Sequence, residues 1–242
     1  MNKRIFLFIM ILPLNIIFPQ AQQKTTNPGD KITLTENPLI AIHSSDYLER
    51  HIASKKFPKV KEDAEKNLRK LNRILKHYEK DIPESQKQYE EALNHYKKAM
   101  ESFVSNDILE AYKNLLQSRK ISNELLQKYG EVYQKRALEI SNEVSNKILL
   151  KDPKEFLMGS FNYLNSEHNL NVLKDKIHTA NYLTRIHQYA DAIELYRNAK
   201  IIGIITLLRL EEEANRPKIL EKFKIDLEDA NYKVERTLLE TF

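Results

Sequence analysis

From Ile108 to about Leu150 no proline interrupts the chain, and Tyr112, Leu115, Leu125, Tyr129, Val132, Ile140, Val144 and Ile148 keep to one face of an α-helix. At 1.5 Å per residue such a helix reaches about 60 Å. A chain committed to it must bury that face by packing other long helices alongside, because a helix of this length extends past the core of a small domain. The supply of turn formers agrees: the 242 residues include 4 Gly, and 30% are charged, which favours long helices with solvated faces over tight turns and strand bends.

The flanking segments read the same way. Pro58 suits the first turn of a helix, and beyond it Val60, Ala64, Leu68, Leu71, Leu75, Tyr78 and Ile82 form an apolar stripe that Pro83 ends. A short separate helix over residues 45–54 precedes it. The next helix buries Tyr89, Ala92, Leu93, Tyr96, Ala99, Met100 and Phe103, and Ser105-Asn106-Asp107 closes it, with Asp107 placed as the N-cap of the long helix. Asp152-Pro153 marks a break, and the polar stretch from Asn165 to Asn171 is expected to interrupt the following helix. Three further helices are expected: Val172 to Gln188, Tyr189 to about Ala214, and Pro217 to about Leu239. The last carries a stripe of Leu220, Phe223, Leu227, Ala230, Val234 and Leu238. The fold class is mostly α, an elongated helical bundle or an array of long antiparallel helices.

At the N-terminus, Lys3 and Arg4 precede an apolar run from Ile5 to Phe18 broken only by Pro13 and Asn15. This is the pattern of a signal peptide. The run falls short of the roughly 20 apolar residues of a membrane span, so cleavage near Ala21 is expected and a retained anchor is the alternative. Residues 1–21 are then the signal peptide, 22–45 a flexible arm punctuated by Asn27-Pro28-Gly29-Asp30 and Asn37-Pro38, and 46–242 an all-α domain with a possible subdivision near 151–153. The expected location is the periplasm, with secretion or association with the outer envelope as the alternative.

Gly29, Gly130, Gly159 and Gly203 stand too far apart for a phosphate-cradling loop. Cysteine is absent, so there is no thiolate ligand and no disulfide. The 7 His form no H-E-x-x-H pair, and His178 and His187 lack an acidic residue spaced to complete a metal site. Ser160, in Met-Gly-Ser-Phe, lacks the second glycine of a nucleophile elbow. Glu90-Glu91, Glu211-Glu212-Glu213 and Glu228-Asp229 lie among lysines and arginines and read as solvated faces. The expectation is a protein that is not an enzyme and binds no cofactor, metal or nucleic acid. A catalytic site assembled from distant residues stays open at this level.

Two features point towards protein partners. Lys66, Lys70, Arg73, His77 and Lys80 line one side of the helix that follows Pro58. They read either as a solvated face balanced by Glu62, Asp63, Glu65 and Glu79, or as a basic stripe for an acidic protein surface. Separately, Tyr89-x-x-Ala92-x-x-x-Tyr96-x-x-Ala99 recurs at identical spacing as Tyr189-x-x-Ala192-x-x-x-Tyr196-x-x-Ala199. Alanines on such a face let a neighbouring helix approach closely while the rings fill grooves beside them. Simple bundle packing accounts for the pattern. With Ala180 and Leu183 ahead of it, the second copy also resembles one tetratricopeptide unit, so the array is expected to be partly tetratricopeptide-like. Lys80 and Pro83 depart from that pattern ahead of the first copy.

The runs YEEALNHYKKAMESFVSNDILEAYKNLLQSRKISNELLQKYGEVYQKRA (residues 89–137) and YADAIELYRNAKIIGIITLLRLEEEANR (residues 189–216) resemble the exported helical flagellar-coiling proteins of leptospiral spirochaetes. That resemblance implies a non-enzymatic sheath component that coats the periplasmic flagellar filament and shapes its supercoil in motility. Flagellar filament or sheath subunits are then the expected partners, with a homo-oligomer possible and no membrane anchor after cleavage. A tetratricopeptide-like adaptor for a peptide or envelope protein is the alternative.

Overall fold

The computed structural model describes residues 38–150 and 161–231. The expected signal peptide, residues 22–37 of the expected arm, the Asp152-Pro153 break, and Val234 and Leu238 lie outside the described residues. The chain divides into two units, Met1–Ala41 and Ile42–Phe242. The described residues of the first are the opening residues of α1, and the rest of the description concerns the second.

The fold is all-α. Its helices are α1 (Pro38–Tyr78), α2 (Ser85–Val104), α3 (Ile108–Leu149), α4 (Phe161–Arg185), α5 (Tyr189–Leu210), α6 (Arg216–Lys222) and α7 (Lys224–Asp229), with 3-10 turns at Glu79–Asp81 and Glu213–Asn215. Among the described residues, no helix is long and apolar enough to cross a membrane.

Of the expected helices, α3 forms as a single 42-residue element. Asn106 turns the chain into it with a left-handed φ of 62°, a conformation that asparagine tolerates better than most residues. The Asp107 carboxylate accepts a hydrogen bond from the Glu110 amide at 3.2 Å, satisfying one of the donors that a helix start leaves open.

Each stretch of α3 buries its face against different partners. Near its start, Ala111 and Leu115 pack with Phe57, Val60 and Ala64 of α1 and with Ala99 of α2. Midway, Leu125, Leu126, Tyr129 and Tyr133 meet Leu71, Ile74, Leu75 and Tyr78 of α1, Leu173 and Ile177 of α4, and Ile193 and Tyr196 of α5. Towards its end, Ile140, Val144 and Ile148 meet Ile204 and Leu207 of α5 and Ile219, Phe223 and Leu227 of the C-terminal helices. Ala92, Ala99, Ala192 and Ala199 of the repeated segments are all fully buried, as close helix contacts require. Gly203 is placed where α5 runs against Ile140 and Leu173.

The structure corrects five expectations. Residues 38–45, assigned to the flexible arm, are helical, and α1 runs unbroken through Pro58, which was expected to start a helix. Proline inside a helix frees the carbonyl four residues earlier. Pro58 and Ser54 are both exposed, which leaves that carbonyl on the solvent side of the helix, and the buried Ala53, Phe57 and Val60 hold the helix on either side. The stretch from Asn165 to Asn171 does not interrupt α4; burial of Leu170 outweighs weak local propensity there. Phe103, expected in the core, is half exposed and stacks on Phe57 at 4.5 Å between ring centroids. The continuous final helix is instead broken at Phe223, whose φ of −107° and ψ of 17° leave the helical region. That bend turns Phe223, Asp226, Leu227 and Asp229 all inward.

Candidate functional site: a buried ionic centre

Helix α5 is apolar on most of its circumference, yet Arg197 and Lys200 stand on its buried side, one turn apart. Ionised side chains are excluded from an interior unless partnered. The partners come from α7, where Asp226 and Asp229 carry the same spacing of three and are buried as well.

The Lys200 ammonium donates to Asp226 Oδ1 at 2.7 Å and to the Tyr78 hydroxyl at 2.7 Å, with Asp229 Oδ2 at 3.9 Å. It also lies 4.8 Å from the ring centroid of Tyr78 and 4.1 Å from that of Tyr133, a cation–π arrangement that recovers part of the hydration lost. The Arg197 guanidinium grips Asp229 with two bonds of 2.9 and 3.0 Å and reaches Glu194 at 2.6 Å. From α3, Arg136 grips Asp226 in the same two-pronged way at 3.1 and 2.9 Å. The Tyr78 hydroxyl donates to Asp226 Oδ1 at 2.7 Å, and the Tyr129 hydroxyl donates to the Tyr78 carbonyl at 3.3 Å. Residues of α1, α3, α5 and α7 thus converge on two carboxylates.

Electrostatics follow from this geometry. Burial alone would raise Asp226, but Arg136, Lys200 and the Tyr78 hydroxyl outweigh it and hold the carboxyl at about 2. Burial pulls the Lys200 ammonium below its ordinary range, against the opposing pull of Asp226 and Asp229. Burial and then Asp226 push the Tyr78 phenol up, and burial and then Asp229 do the same to Tyr133. Both tyrosines are neutral: the Tyr78 hydroxyl donates to Asp226, and the Tyr133 hydroxyl accepts from Arg197 at 3.3 Å. The arrangement is suited to holding α7 against α1, α3 and α5.

The basic stripe of α1 joins this structure. Lys66 Nζ lies 3.1 Å from Asp191 Oδ1. Lys70 donates to the Ala190 carbonyl at 2.7 Å and lies 3.4 Å from Asp191 and 3.7 Å from Glu194. Arg73 donates twice to the Asp229 carbonyl, at 3.2 and 2.8 Å, and His77 Nδ1 is 3.9 Å from Glu228. Burial opposes it, but Lys66 and Lys70 hold the Asp191 carboxyl below its ordinary range. Lys80 alone of the stripe is exposed with no ion pair among the described contacts. A stripe expected to face solvent or a partner therefore docks α1 onto α5 and α7. Sequence spacing gives the side of a helix, and here that side faces another part of the same chain.

The repeat residues gather differently. Tyr196 and Ala192, Ala199 and Ala180 meet in the core between α4 and α5, and the Tyr196 hydroxyl donates to Asn181 at 2.6 Å. Tyr89 and Tyr96 are half-buried against Leu68, Ala92 and Ile121. Tyr189 lies beside the α4–α5 turn, 2.7 Å from His187 Nδ1 through its hydroxyl. A groove of about 360 Å³ opens there, lined by Asp63, Lys66, Arg119 and Asp191, whose charges pair among themselves and with neighbours. Among the described residues, no group of three or more His, Asp or Glu is placed to hold a metal ion.

Sequence reasoning overlooked the ionic centre and read Glu228-Asp229 as a solvated pair. Glu228 is exposed, but Asp229 is fully buried. The available signal was the matched spacing: two cations three apart within the most apolar of the long described helices, and two aspartates three apart further on. Compared with known proteins, the chain matches no family model, no curated protein and no solved structure.

Proposed function

We propose that this is an exported, non-enzymatic structural protein that binds other proteins along its helical surfaces, and that it serves as a flagellar filament sheath component in motility. The periplasm is its proposed location. The observation that carries the reading is the pairing of two very long helices, α1 with 41 residues and α3 with 42, buried on one side and presenting long charged faces on the other. Faces of this length suit a coat protein, whose modest contacts gain strength by simultaneous engagement along a filament. The sequence resemblance to flagellar-coiling proteins supplies the identity of the filament.

Filaments isolated from the cells that make the protein should contain it in amounts comparable to other coat proteins, and deleting its gene should alter filament curvature and motility. Absence from filaments together with unchanged curvature would overturn the reading. A mature N-terminus between Ala21 and Lys24 is expected on export, and intact Met1 on protein recovered from the envelope would refute it.

A second reading, a tetratricopeptide-like adaptor, is favoured by the α4–α5 hairpin, in which Ala180, Ala192, Tyr196 and Ala199 share one buried seam. Capture of a defined peptide in place of filament association would select it.

A further inference from the structure

We infer that the outer face of α2 is a self-recognition surface, on which a second copy of the chain packs antiparallel about a two-fold axis at Asn94. This stands independently of the sheath reading.

Helix α2 buries Ser85, Ala92 and Ala99. On its opposite side Lys87, Glu90, Glu91, Asn94, Lys97, Lys98 and Glu101 are all exposed, and their spacings of three and four place them on one continuous face. A shallow groove of about 380 Å³ runs beside Asn94 and His95. On α1, exposed charges at such spacing pair within the helix, Lys59 with Asp63 and Arg69 with Glu65. On α2, Lys87 and Glu91 have the same spacing, as have Lys97 and Glu101. Yet none of the charged groups on this face has an ion pair among the described contacts.

The order of the charges selects the occupant. Lys87 and Glu101 stand equally far on either side of Asn94, and the acids Glu90 and Glu91 precede it by the same steps by which the bases Lys97 and Lys98 follow it. Residues one heptad apart lie on one flank of a helix, so Glu90 shares a flank with Lys97, and Glu91 with Lys98. A half-turn about Asn94 therefore sets Glu90 against Lys97, Glu91 against Lys98 and Lys87 against Glu101, each of them twice. The two Asn94 side chains then meet, and each amide carries both a donor and an acceptor for the other. A parallel copy in register would set every charge against its like. Each exposed pair is worth little alone, so the pattern fixes orientation more than strength, and the dimer comes apart as salt screens the pairs.

The wild-type chain carries its own reporter. Lys87 and Glu101 are about 21 Å apart along one helix, too far for a carbodiimide to join them within a chain. Chains grown in ¹⁴N and ¹⁵N media are mixed at high protein concentration, cross-linked in low and in high salt, and analysed by mass spectrometry alongside sedimentation. A dimer is expected in low salt, with Lys87–Glu101 links between light and heavy chains, and a monomer without those links in high salt. Glu90→Lys with Glu91→Lys should weaken self-association by about tenfold, because four lysines then face one another across each half of the contact. Adding Lys97→Glu and Lys98→Glu to that chain restores both the net charge and the complementarity, and should restore the dimer. A monomer at every concentration in low salt overturns the proposal, as does a dimer that yields no Lys87–Glu101 link or a fourfold variant that stays monomeric while melting as the wild type does. Should that variant fail to fold, the wild-type link decides alone.

Discussion

The Lys200 ammonium and the Asp226 carboxylate meet at 2.7 Å with 0% and 1% of their side chains exposed. Each also has other partners, and these are unequal. Asp226 keeps Arg136 when Lys200 is removed, whereas removing Asp226 leaves Lys200 and Arg136 facing each other. Lys200→Met should therefore cost less than Asp226→Ala, for which about 3–5 kcal/mol is expected, the range seen when one member of a buried pair is lost. Urea denaturation of the two variants checks the order.

Acid should weaken the same contact. A carboxyl lowered from 3.8 to about 2 contributes stability that is complete above 3.8 and is lost as pH falls through about 2. The loss from Asp226 should amount to about 2 kcal/mol. Denaturation midpoints between these pH values should drop in the wild type, and Asp226→Asn should show a shallower decline from a lower starting point.

Two glycines of the long helices should respond oppositely to alanine. At Gly203 the new methyl would collide with Ile140 Cγ2 and lie 2.8 Å from Leu173 Cδ1. Ile140 is branched at Cβ and has little freedom to yield, so a cost of about 1–3 kcal/mol is expected. At Gly130 nothing lies within 4 Å of the added carbon, and the gain in helix propensity should stabilise by about 1 kcal/mol. Thermal melts should move in opposite directions.

Small residues of the repeat should behave as Gly203 does. Ala192→Leu and Ala199→Leu place three more carbons into fully buried positions, and each should lower stability by about 1–3 kcal/mol. An unchanged melting temperature in both would contradict the packing.

Reversing the basic stripe should damage the fold itself. Arg73→Glu would aim a carboxylate at the Asp229 carbonyl in place of two donors, and Lys70→Glu would confront Asp191 and Glu194. A lowered denaturation midpoint is expected for each, while Lys80→Glu, at an exposed position, should leave it unchanged.

Much of the helical layout was legible in the sequence because apolar spacing reports burial directly. The stripe from Val60 to Ile82 is buried throughout, and Asp107 caps α3 as its position implies. What spacing does not report is which helix faces which. The stripe from Lys66 to His77 was recognised as a charged side, but its counter-charges lie more than a hundred residues away in α5 and α7. Pro58 misled because its local cost is small where the freed carbonyl faces water. The break at Phe223 was hidden because a straight helix would bury Phe223 and Leu227 equally well; only the need to bury Asp226 and Asp229 with them distinguishes the bent path.

The separation along the chain between Tyr78 and Asp226, 148 residues, bears on the order in which the molecule assembles. Contacts this remote form late, because their loop must close before they contribute. During synthesis the cradle residues of α1, α3 and α5 all emerge ahead of α7, and until it arrives three cations share a half-built interior. Burial of Lys200 is therefore a marker of completed folding, and its reactivity towards an amine-modifying reagent should fall in the slowest refolding phase.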